Sequence, residues 1–420
     1  MSAAASPPRP SFRLHLRLAW RNLWRNPRRT VLTMSAVAFA AIVLVFMVGM
    51  QVGAYGSMIQ GAVGVFTGDL QVQVRGYNAK PRLRQTIGDA AAVEAKVAAV
   101  PGVTAVAARA ESYALVSSPT RTYGALVVGV QPGREPAVST IPGAVRRGRY
   151  LSGPDAREAV VGEALASNLA LKPGDELTVL GQGLDGSLAV AALRVVGIFS
   201  SGTPELDRQM VEVPLETFQS SFLLGDRAHV IVARTRNLED VPAVASAVGA
   251  ALPSGSNLVV LRWDQLLEGL KQGIEMDAAV GWLLYAALVF VVTFSILNTF
   301  LMSVLERTRE FGVFLALGTR PRFLGRVVLM ESVILLLLGL AAGTALGAGL
   351  TWWTGLHGIA FSSSQELLAK WNMPARIYPA LNLFSLTLGP AVILLSTLAA
   401  AVFPVRRIRR LRPVDAMKAV

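Results

Sequence analysis

The chain has 420 residues, of which 53% are hydrophobic, and it carries a formal net charge of +13. With a mean hydropathy of +0.49 it is too apolar for an ordinary soluble protein, yet too polar to lie wholly in a membrane. The absence of cysteine excludes disulfides and thiol chemistry, and three widely separated histidines make a histidine metal site improbable.

The positive charge is concentrated beside the apolar stretches. Residues 1–52 carry seven arginines and no acidic residue, residues 383–420 have a net charge of +5, and residues 53–276 are balanced to within one charge. This positive-inside pattern predicts that both termini lie on the cytoplasmic side of a bacterial inner membrane. A nucleic-acid partner needs a basic globular face, so we expect none.

The N-terminal segment, residues 1–30, contains a predicted amphipathic helix. Residues 1–10 are rich in Pro and Ala and are expected to be disordered. After them, apolar side chains share one helical face and arginines recur every fourth residue on another, as in a helix lying among lipid headgroups. The expected membrane-surface residues are Arg13, Arg17, Trp20, Arg21, Trp24 and Arg25. A signal peptide is the alternative, but the long apolar run without an A-x-A site favours an uncleaved anchor.

Four apolar stretches are long enough to cross a hydrocarbon core of about 30 Å as helices. They are residues 31–52, 278–304, 327–351 and 383–405. The first two enclose residues 53–276, which have the composition of a globular domain. A cytoplasmic loop (residues 305–326), a short outer loop (residues 352–382) and a basic tail (residues 406–420) complete the chain.

The enclosed region alternates short strands and helices, separated by Pro-Gly turns, without a sustained β-α-β run. We therefore predict four transmembrane helices with a large α+β extracytoplasmic domain between the first and second. The alternation of Leu70, Val72 and Val74 predicts a first strand. The other predicted strands are residues 105–116, 122–130, 176–180, 190–199, 209–213, 229–233 and 257–261, and the predicted helices are residues 89–100, 163–169, 215–222 and 241–252.

The sequence lacks the motifs of common catalytic sites. It has no G-x-S-x-G and no G-x-x-x-x-G-K-[ST], so an ATP-driven cycle would need another polypeptide. Acidic pairs such as Asp175 and Glu176 lie in predicted turns, where carboxylates are usually solvated or capping. We expect no catalytic, cofactor or metal site in this chain.

Polar and small residues in the spans predict helix packing. Asn298 needs a partner in lipid, and Gly339, Gly343 and Gly347 form a ridge that allows close helix approach, within one subunit in preference to a subunit interface. Glu331, near the start of its helix, is expected to pair with Arg322 or Arg326; a transport role is the alternative.

The segment Glu306–Pro321, ERTREFGVFLALGTRP, is a charged and then apolar stretch between two spans. Apolar side chains recur at helical spacing before Gly318 and Pro321, which predicts a membrane-surface helix ending at Gly318. From spacing alone, its apolar face is as well suited to headgroups or its own bundle as to a protein partner.

This segment resembles the cytoplasmic coupling helix of FtsX/MacB/LolC-type ABC-transporter permeases. Phe403–Met417 is similar to the P-x-R-R-A-x-x-x-x-P-V-E/D-A-L ending of that family. Leu18–Thr30 and Gly68–Tyr77 also resemble it, although Asp69 stands where the family pattern leads us to expect His.

The resemblance implies that the helix sits in a groove of a separate cytoplasmic ATPase. The implied ATPase-coupling residues are Glu306, Arg307, Arg309, Glu310, Phe311, Gly312, Phe314, Leu317 and Gly318. It further implies a MacB-like periplasmic core domain, a dimer with a second copy or a paralogue, and two copies of the ATPase, which would use ATP and Mg.

The family leaves several functions open. Lipoprotein release from the inner membrane is the first expectation, because of the Gly68–Tyr77 stretch and the four-helix plan. The alternatives are MacB-like efflux with a periplasmic adaptor, and FtsX-like mechanotransmission that activates a cell-wall hydrolase without transport. The implied partners therefore include an adaptor, a lipoprotein or a chaperone, besides membrane lipids.

Overall fold

The computed structural model describes residues 12–253, 255–360 and 376–409. They form two compact units: a helical unit, whose described residues are 12–55, 274–360 and 376–409, and an α+β domain, residues 56–253 and 255–273. The expected disordered residues 1–10, most of the basic tail and the P-V-D-A-M end of the family motif lie outside the described residues.

The helices have these bounds in chain order: α1 (Phe12–Leu23), α2 (Pro27–Ala62), α3 (Ala90–Ala98), α4 (Glu135–Val138), α5 (Glu163–Leu169), α6 (Pro204–Gln209), α7 (Leu215–Ser221), α8 (Val241–Ala251), α9 (Trp263–Leu266), α10 (Glu268–Glu306), α11 (Thr308–Ala316), α12 (Pro321–His357) and α13 (Leu383–Arg409). Within the described ranges, four of them (α2, α10, α12 and α13) are long and apolar enough to cross a membrane. The fold-class prediction of four such helices is therefore confirmed. The helices extend beyond most of the apolar spans, because hydropathy marks only the apolar stretch while backbone hydrogen bonding continues into polar residues.

Two prolines explain where α2 and α12 begin. Pro27 occupies the first turn of α2, where its missing N–H costs no intrahelical hydrogen bond, and Pro321 does the same for α12. The hydroxyl of Thr30 donates to the carbonyl of Leu23 at 2.5 Å, which satisfies a free acceptor at the end of α1. The turn between α1 and α2 is thereby tied to both helices.

The strands of the α+β domain are β1 (Leu70–Val74), β2 (Val103–Ser117), β3 (Thr122–Val130), β4 (Val145–Gly148), β5 (Glu158–Gly162), β6 (Glu176–Gln182), β7 (Leu188–Phe199), β8 (Met210–Pro214), β9 (Val230–Thr235) and β10 (Leu258–Arg262); the helical unit has the short pair β11 (Ile359–Ala360) and β12 (Arg376–Ile377). The long strand β2 belongs to two layers. Its first half pairs with β9 in an open antiparallel sheet of order β10-β1-β9-β2, and its second half pairs with β3 and β6. The order β2-β3-β8-β5-β7-β6 returns to β2, so these six strands form a closed ring.

The first and last strands of the domain are neighbours. β1, which follows α2, pairs in antiparallel register with β10, which precedes α10, and Leu70 faces Arg262. The backbone N–H of Trp263 adds a hydrogen bond of 3.0 Å to the carbonyl of Asp69. The chain therefore enters and leaves the domain through two strands that are hydrogen-bonded to each other.

Strands that follow each other in the chain form the antiparallel pairs β2/β3 and β6/β7, whereas two pairs of strands that are separated in the chain are parallel. β3 pairs in parallel with β8, and β5 pairs in parallel with β7. The sequence analysis also missed β4 and β5, because β4 contains two arginines and β5 is a short apolar run without alternation. The α+β class itself is confirmed.

Candidate coupling site

The predicted coupling helix, α11, is a separate short helix between α10 and α12. The N–H of Gly318 donates to the carbonyl of Leu315 at 3.1 Å, and that of Thr319 to the carbonyl of Phe314 at 3.0 Å. This is the Schellman pattern of a helix C-terminus, and Gly318 has the left-handed φ of +87° that it requires. The segment thus ends at the glycine, where the sequence analysis expected it to end.

One face of α11 is anchored in the helical unit. Phe311 is only 3% exposed and packs with Val304 of α10 and with Leu324 and Val328 of α12; Gly312 is buried beside it. The side chain of Phe311 therefore holds the helix in place and is not presented to a docked protein. This differs from the role that the family resemblance implied for it.

The other face of α11 is open. Phe314 is 48% exposed and Leu317 is 78% exposed, and Val313, which directly precedes Phe314, is also exposed. These apolar side chains stand near the charged Arg309, which is exposed as well. An apolar edge mixed with a cation is typical of a protein docking surface.

Arg25 connects the α1–α2 turn to α11. Its two terminal nitrogens donate to the two carboxylate oxygens of Glu310 at 2.5 and 2.9 Å, a bidentate ion pair. These hydrogen bonds hold the pKa of Glu310 below its usual value, with the charge of Arg25 adding to the effect. Arg25, expected at the headgroups, instead binds the coupling helix.

Arg29, in the first turn of α2, binds the end of α10. It donates to Glu306 at 2.8 Å and to the backbone carbonyl of Thr299. A carbonyl in a helix interior is usually satisfied by its own helix, so this contact uses its second lone pair. Arg29 was not among the residues that the sequence analysis selected, although it belongs to the same arginine-rich run.

Arg307 turns inward at the junction of α10 and α11. It donates to Glu331 of α12 at 3.1 Å, and both side chains are largely buried. The expectation that Glu331 pairs with Arg322 or Arg326 was wrong, because the chain reversal at Arg307 brings a nearer cation.

Taken singly, exposed ion pairs contribute about 0–1 kcal/mol each. In this chain the ion pairs instead fix how the paired segments are oriented, because a guanidinium binds a carboxylate in a defined plane.

The N-terminal helix α1 has an inner and an outer face. His15, Ala19 and Leu23 are buried, and the ring centroid of His15 lies 4.6 Å from that of Phe323 at the start of α12. The remaining membrane-surface residues of the sequence analysis are all exposed: Arg13, Arg17, Trp20, Arg21 and Trp24. The single apolar face expected from the sequence is therefore divided between protein packing and the exposed surface.

The glycine ridge of α12 packs against α2 of the same chain. A Cβ at Gly343 would lie 2.4 Å from the carbonyl oxygen of Ala38, and one at Gly339 would lie 2.9 Å from the Cβ of Val37. Gly347 is similarly close to α2. Asn298, expected to pack, lies on an exposed face of α10. The interior of the bundle is reached by its neighbours Ile296 and Phe300 instead.

A buried ionic cluster in the α+β domain was not foreseen. Arg109 on β2 is fully buried and forms a bidentate pair with Glu135 of α4, while it also donates to the carbonyl of Phe66 at 2.5 Å. Phe66 lies in the π-helical segment Val63–Thr67 that follows α2, and its ring faces the guanidinium at 4.1 Å. The ion pair therefore holds the segment that leads into β1.

Glu212 extends this cluster from β8. Burial, together with the negative charge of Glu135, raises its pKa to about 8. The hydroxyl of Tyr150 donates to Glu212 at 2.7 Å. The sequence signal was a single acid inside an apolar strand, Val211–Glu212–Val213, which indicates a buried carboxyl that needs a partner.

Two family models match the chain. The MacB-like periplasmic core domain matches residues 30–251, and the FtsX-like permease C-terminal domain matches residues 282–413. The chain belongs to the FtsX/MacB/LolC-type permease family. The family assignment made from the sequence is thereby confirmed, and with it the general kind of partner of this permease, a cytoplasmic ABC ATPase.

Named relatives of the permease fall into two groups. It is 23% identical over 330 residues to the lipoprotein-releasing system transmembrane protein LolC of Xylella fastidiosa, covering 76% of this chain and 78% of that one. It is 34% identical over 125 residues to the macrolide export ATP-binding/permease protein MacB of Burkholderia cenocepacia, covering 29% of this chain and 16% of that one.

Solved structures similar to the permease are isolated outer domains. One is the extracellular domain of the noncanonic ABC-type transporter YknZ from Gram-positive bacteria, with 16% identity and a TM-score of 0.35 over 46% of this chain and 99% of that one. Another is the periplasmic region of MacB from Actinobacillus actinomycetemcomitans, with 14% identity and a TM-score of 0.36 over 50% of this chain and 94% of that one.

The permease is thus an inner-membrane protein with an extracytoplasmic domain. Among residues 12–253, 255–360 and 376–409, no group of three or more acidic or histidine side chains is arranged to hold a metal ion. What the described geometry offers is mechanical: a short helix with one anchored face, one open face, and ion pairs that link its N-terminal end to the α1–α2 turn and to α12.

Proposed function

We propose that this permease couples ATP hydrolysis by a separate ATPase to movements of its extracytoplasmic domain, and that it releases lipoproteins from the inner membrane. The working unit would be a dimer, with a second copy or a paralogue, and two ATPase subunits that bind ATP and Mg. Both termini and α11 would lie on the cytoplasmic side.

The observation that carries the coupling part is the open face of α11. A helix whose anchored face holds Phe311 and whose free face presents Phe314 and Leu317 is suited to receive force from a docked protein and pass it to α10 and α12. In the α+β domain, the pairing of β1 with β10 supports the same idea, because it joins the strand that follows α2 to the strand that precedes α10.

Lipoprotein release is favoured over the other candidate functions because the similarity to LolC extends over 76% of the chain. Efflux is the second candidate, supported by the higher identity to MacB over a shorter stretch. FtsX-like signalling would use the same coupling helix but would need no path for a substrate.

A reconstitution experiment separates these functions. The tagged permease and the ATPase that copurifies with it are placed in proteoliposomes with a triacylated test protein, and ATP is added. We expect ATP-dependent appearance of the acylated protein outside the bilayer, and none with a non-hydrolysable ATP analogue. ATP hydrolysis without release would contradict lipoprotein release; stimulation of a wall hydrolase would then favour signalling.

The docking step has its own test. Leu317→Asp places a charge on the open face of α11, and we expect at least a tenfold loss of copurified ATPase. The matched control is Leu188→Asp, because Leu188 is 75% exposed but lies in the α+β domain. Equal loss in both variants, or in neither, would count against docking at α11.

A further inference from the structure

The ties between α11 and the N-terminal region suggest a route for force that the docking face alone does not provide. α11 directly follows α10 in the chain, with only Arg307 between the two helices, so displacement of α11 acts on α10 through the backbone. α2, in contrast, is distant in sequence, and its connection to the coupling segment is made by side chains. Those side chains are Arg25 and Arg29.

The two arginines contact the two sides of the junction between α10 and α11. Arg25 binds Glu310 in the first turn of α11, and Arg29 binds Glu306 at the end of α10, 2.8 Å away. Because Arg29 also donates to the carbonyl of Thr299, it grips α10 at two points about two turns apart. Two planar guanidinium contacts at separated points resist both rotation and translation.

The contacts lie around a small polar cavity of about 200 Å³ between α1, α2, α10, α11 and α12. The side chain of Glu310 is 37% exposed and that of Glu306 is 62% exposed, so these pairs are not required to neutralise deeply buried charges. These pairs therefore change the free energy of folding only a little, and another role explains why six charged side chains line this cavity.

We propose that Arg25 and Arg29 are positioning residues that fasten the coupling helix to α2, so that movement imposed on α11 reaches α2 as well as α10. This inference rests on the proposed coupling function. It assigns to the N-terminal arginines a mechanical role in place of lipid binding. Within the α+β domain, the consequence is that β1 and β10 would be driven together, since one follows α2 and the other precedes α10.

Hydrogen–deuterium exchange of the reconstituted permease–ATPase complex tests the proposal. Exchange is measured in segments 63–74 and 258–267 with and without ATP plus vanadate. In the wild type we expect ATP-dependent changes in both segments. In Arg25→Glu/Arg29→Glu we expect the change in 63–74 to be lost and that in 258–267 to remain, with the ATPase still bound.

A charge exchange distinguishes positioning from a general structural effect. Restoring the pairs in the quadruple variant Arg25→Glu/Arg29→Glu/Glu306→Arg/Glu310→Arg should bring back the change in 63–74. The control is Arg21→Glu, because Arg21 precedes Arg25 by four residues, lies on α1 and is exposed. It should behave as the wild type.

The outcomes separate the inference from the function on which it rests. If the wild-type complex shows no ATP-dependent change in either segment, the proposed coupling function fails. If the wild type changes in both and the double variant still changes in both, the positioning role of Arg25 and Arg29 is refuted. If the charge exchange does not restore 63–74, pairing is not the reason for the loss, and the inference also fails.

Discussion

Replacing Gly343 by alanine tests the close approach of α12 to α2. The added Cβ would lie 2.4 Å from the carbonyl oxygen of Ala38 and 2.7 Å from the Cβ of Ala41, so the two helices would have to separate. Overpacking of this kind costs about 1–3 kcal/mol. Gly349→Ala is the matched control, since nothing lies within 4 Å of a Cβ at that position.

Both variants gain the same helix propensity, so the difference between them isolates packing. For a unit of this size, 1 kcal/mol corresponds to about 2–4 °C in Tm, and we expect Gly343→Ala to melt roughly 2–10 °C below Gly349→Ala. Intrinsic tryptophan fluorescence in detergent follows this transition, because six of the seven tryptophans lie outside residues 56–273, which contain only Trp263. Equal melting temperatures for the two variants would refute the steric reasoning.

Three further predictions concern the ionic cluster and the coupling helix. The pKa of Glu212 is about 8 in the folded protein, against an ordinary value of 4.5. Between these pH values the folded chain keeps a proton on Glu212 that the unfolded chain has lost. The free energy of unfolding should therefore fall as pH rises from 5 to 8. In Glu212→Gln, denaturant titrations should show a smaller fall in the free energy of unfolding over this pH range. The same dependence on pH as in the wild type would contradict the prediction. Arg109→Met leaves Glu135 charged and buried, and should cost about 3–5 kcal/mol in chemical denaturation, much of it recovered by Arg109→Met/Glu135→Leu. Phe311→Asp should lower Tm whereas Leu317→Asp should not, and equal melting would show that the two faces of α11 are not distinct.

The membrane helices and most strands were predictable because they rest on local patterns. Apolar runs identified α2, α10, α12 and α13, and alternation identified β3 at its observed bounds, Thr122–Val130. Gly318 and Pro321 likewise fixed the end of α11 and the start of α12, since both act through backbone conformation alone.

The pairing of charges was not predictable, because it depends on which distant segments meet. Periodicity placed Arg25 with the other arginines at the membrane surface, yet the turn at Asn26 and Pro27 directs it towards Glu310. Helical spacing similarly could not tell which apolar side chains of α11 face inward. Phe311 and Phe314 are the same residue type three positions apart, yet Phe311 is buried and Phe314 is about half exposed.

The closed order of β2, β3, β8, β5, β7 and β6 has a consequence for how this domain can deform. A cyclic hydrogen-bond ladder has no free edge, and sliding one strand past its neighbour requires the same slip all the way round. Such a body turns as a whole without changing its own shape. We therefore expect flexing in the flank of β10, β1 and β9, whose strand pairing with the ring is made through β2.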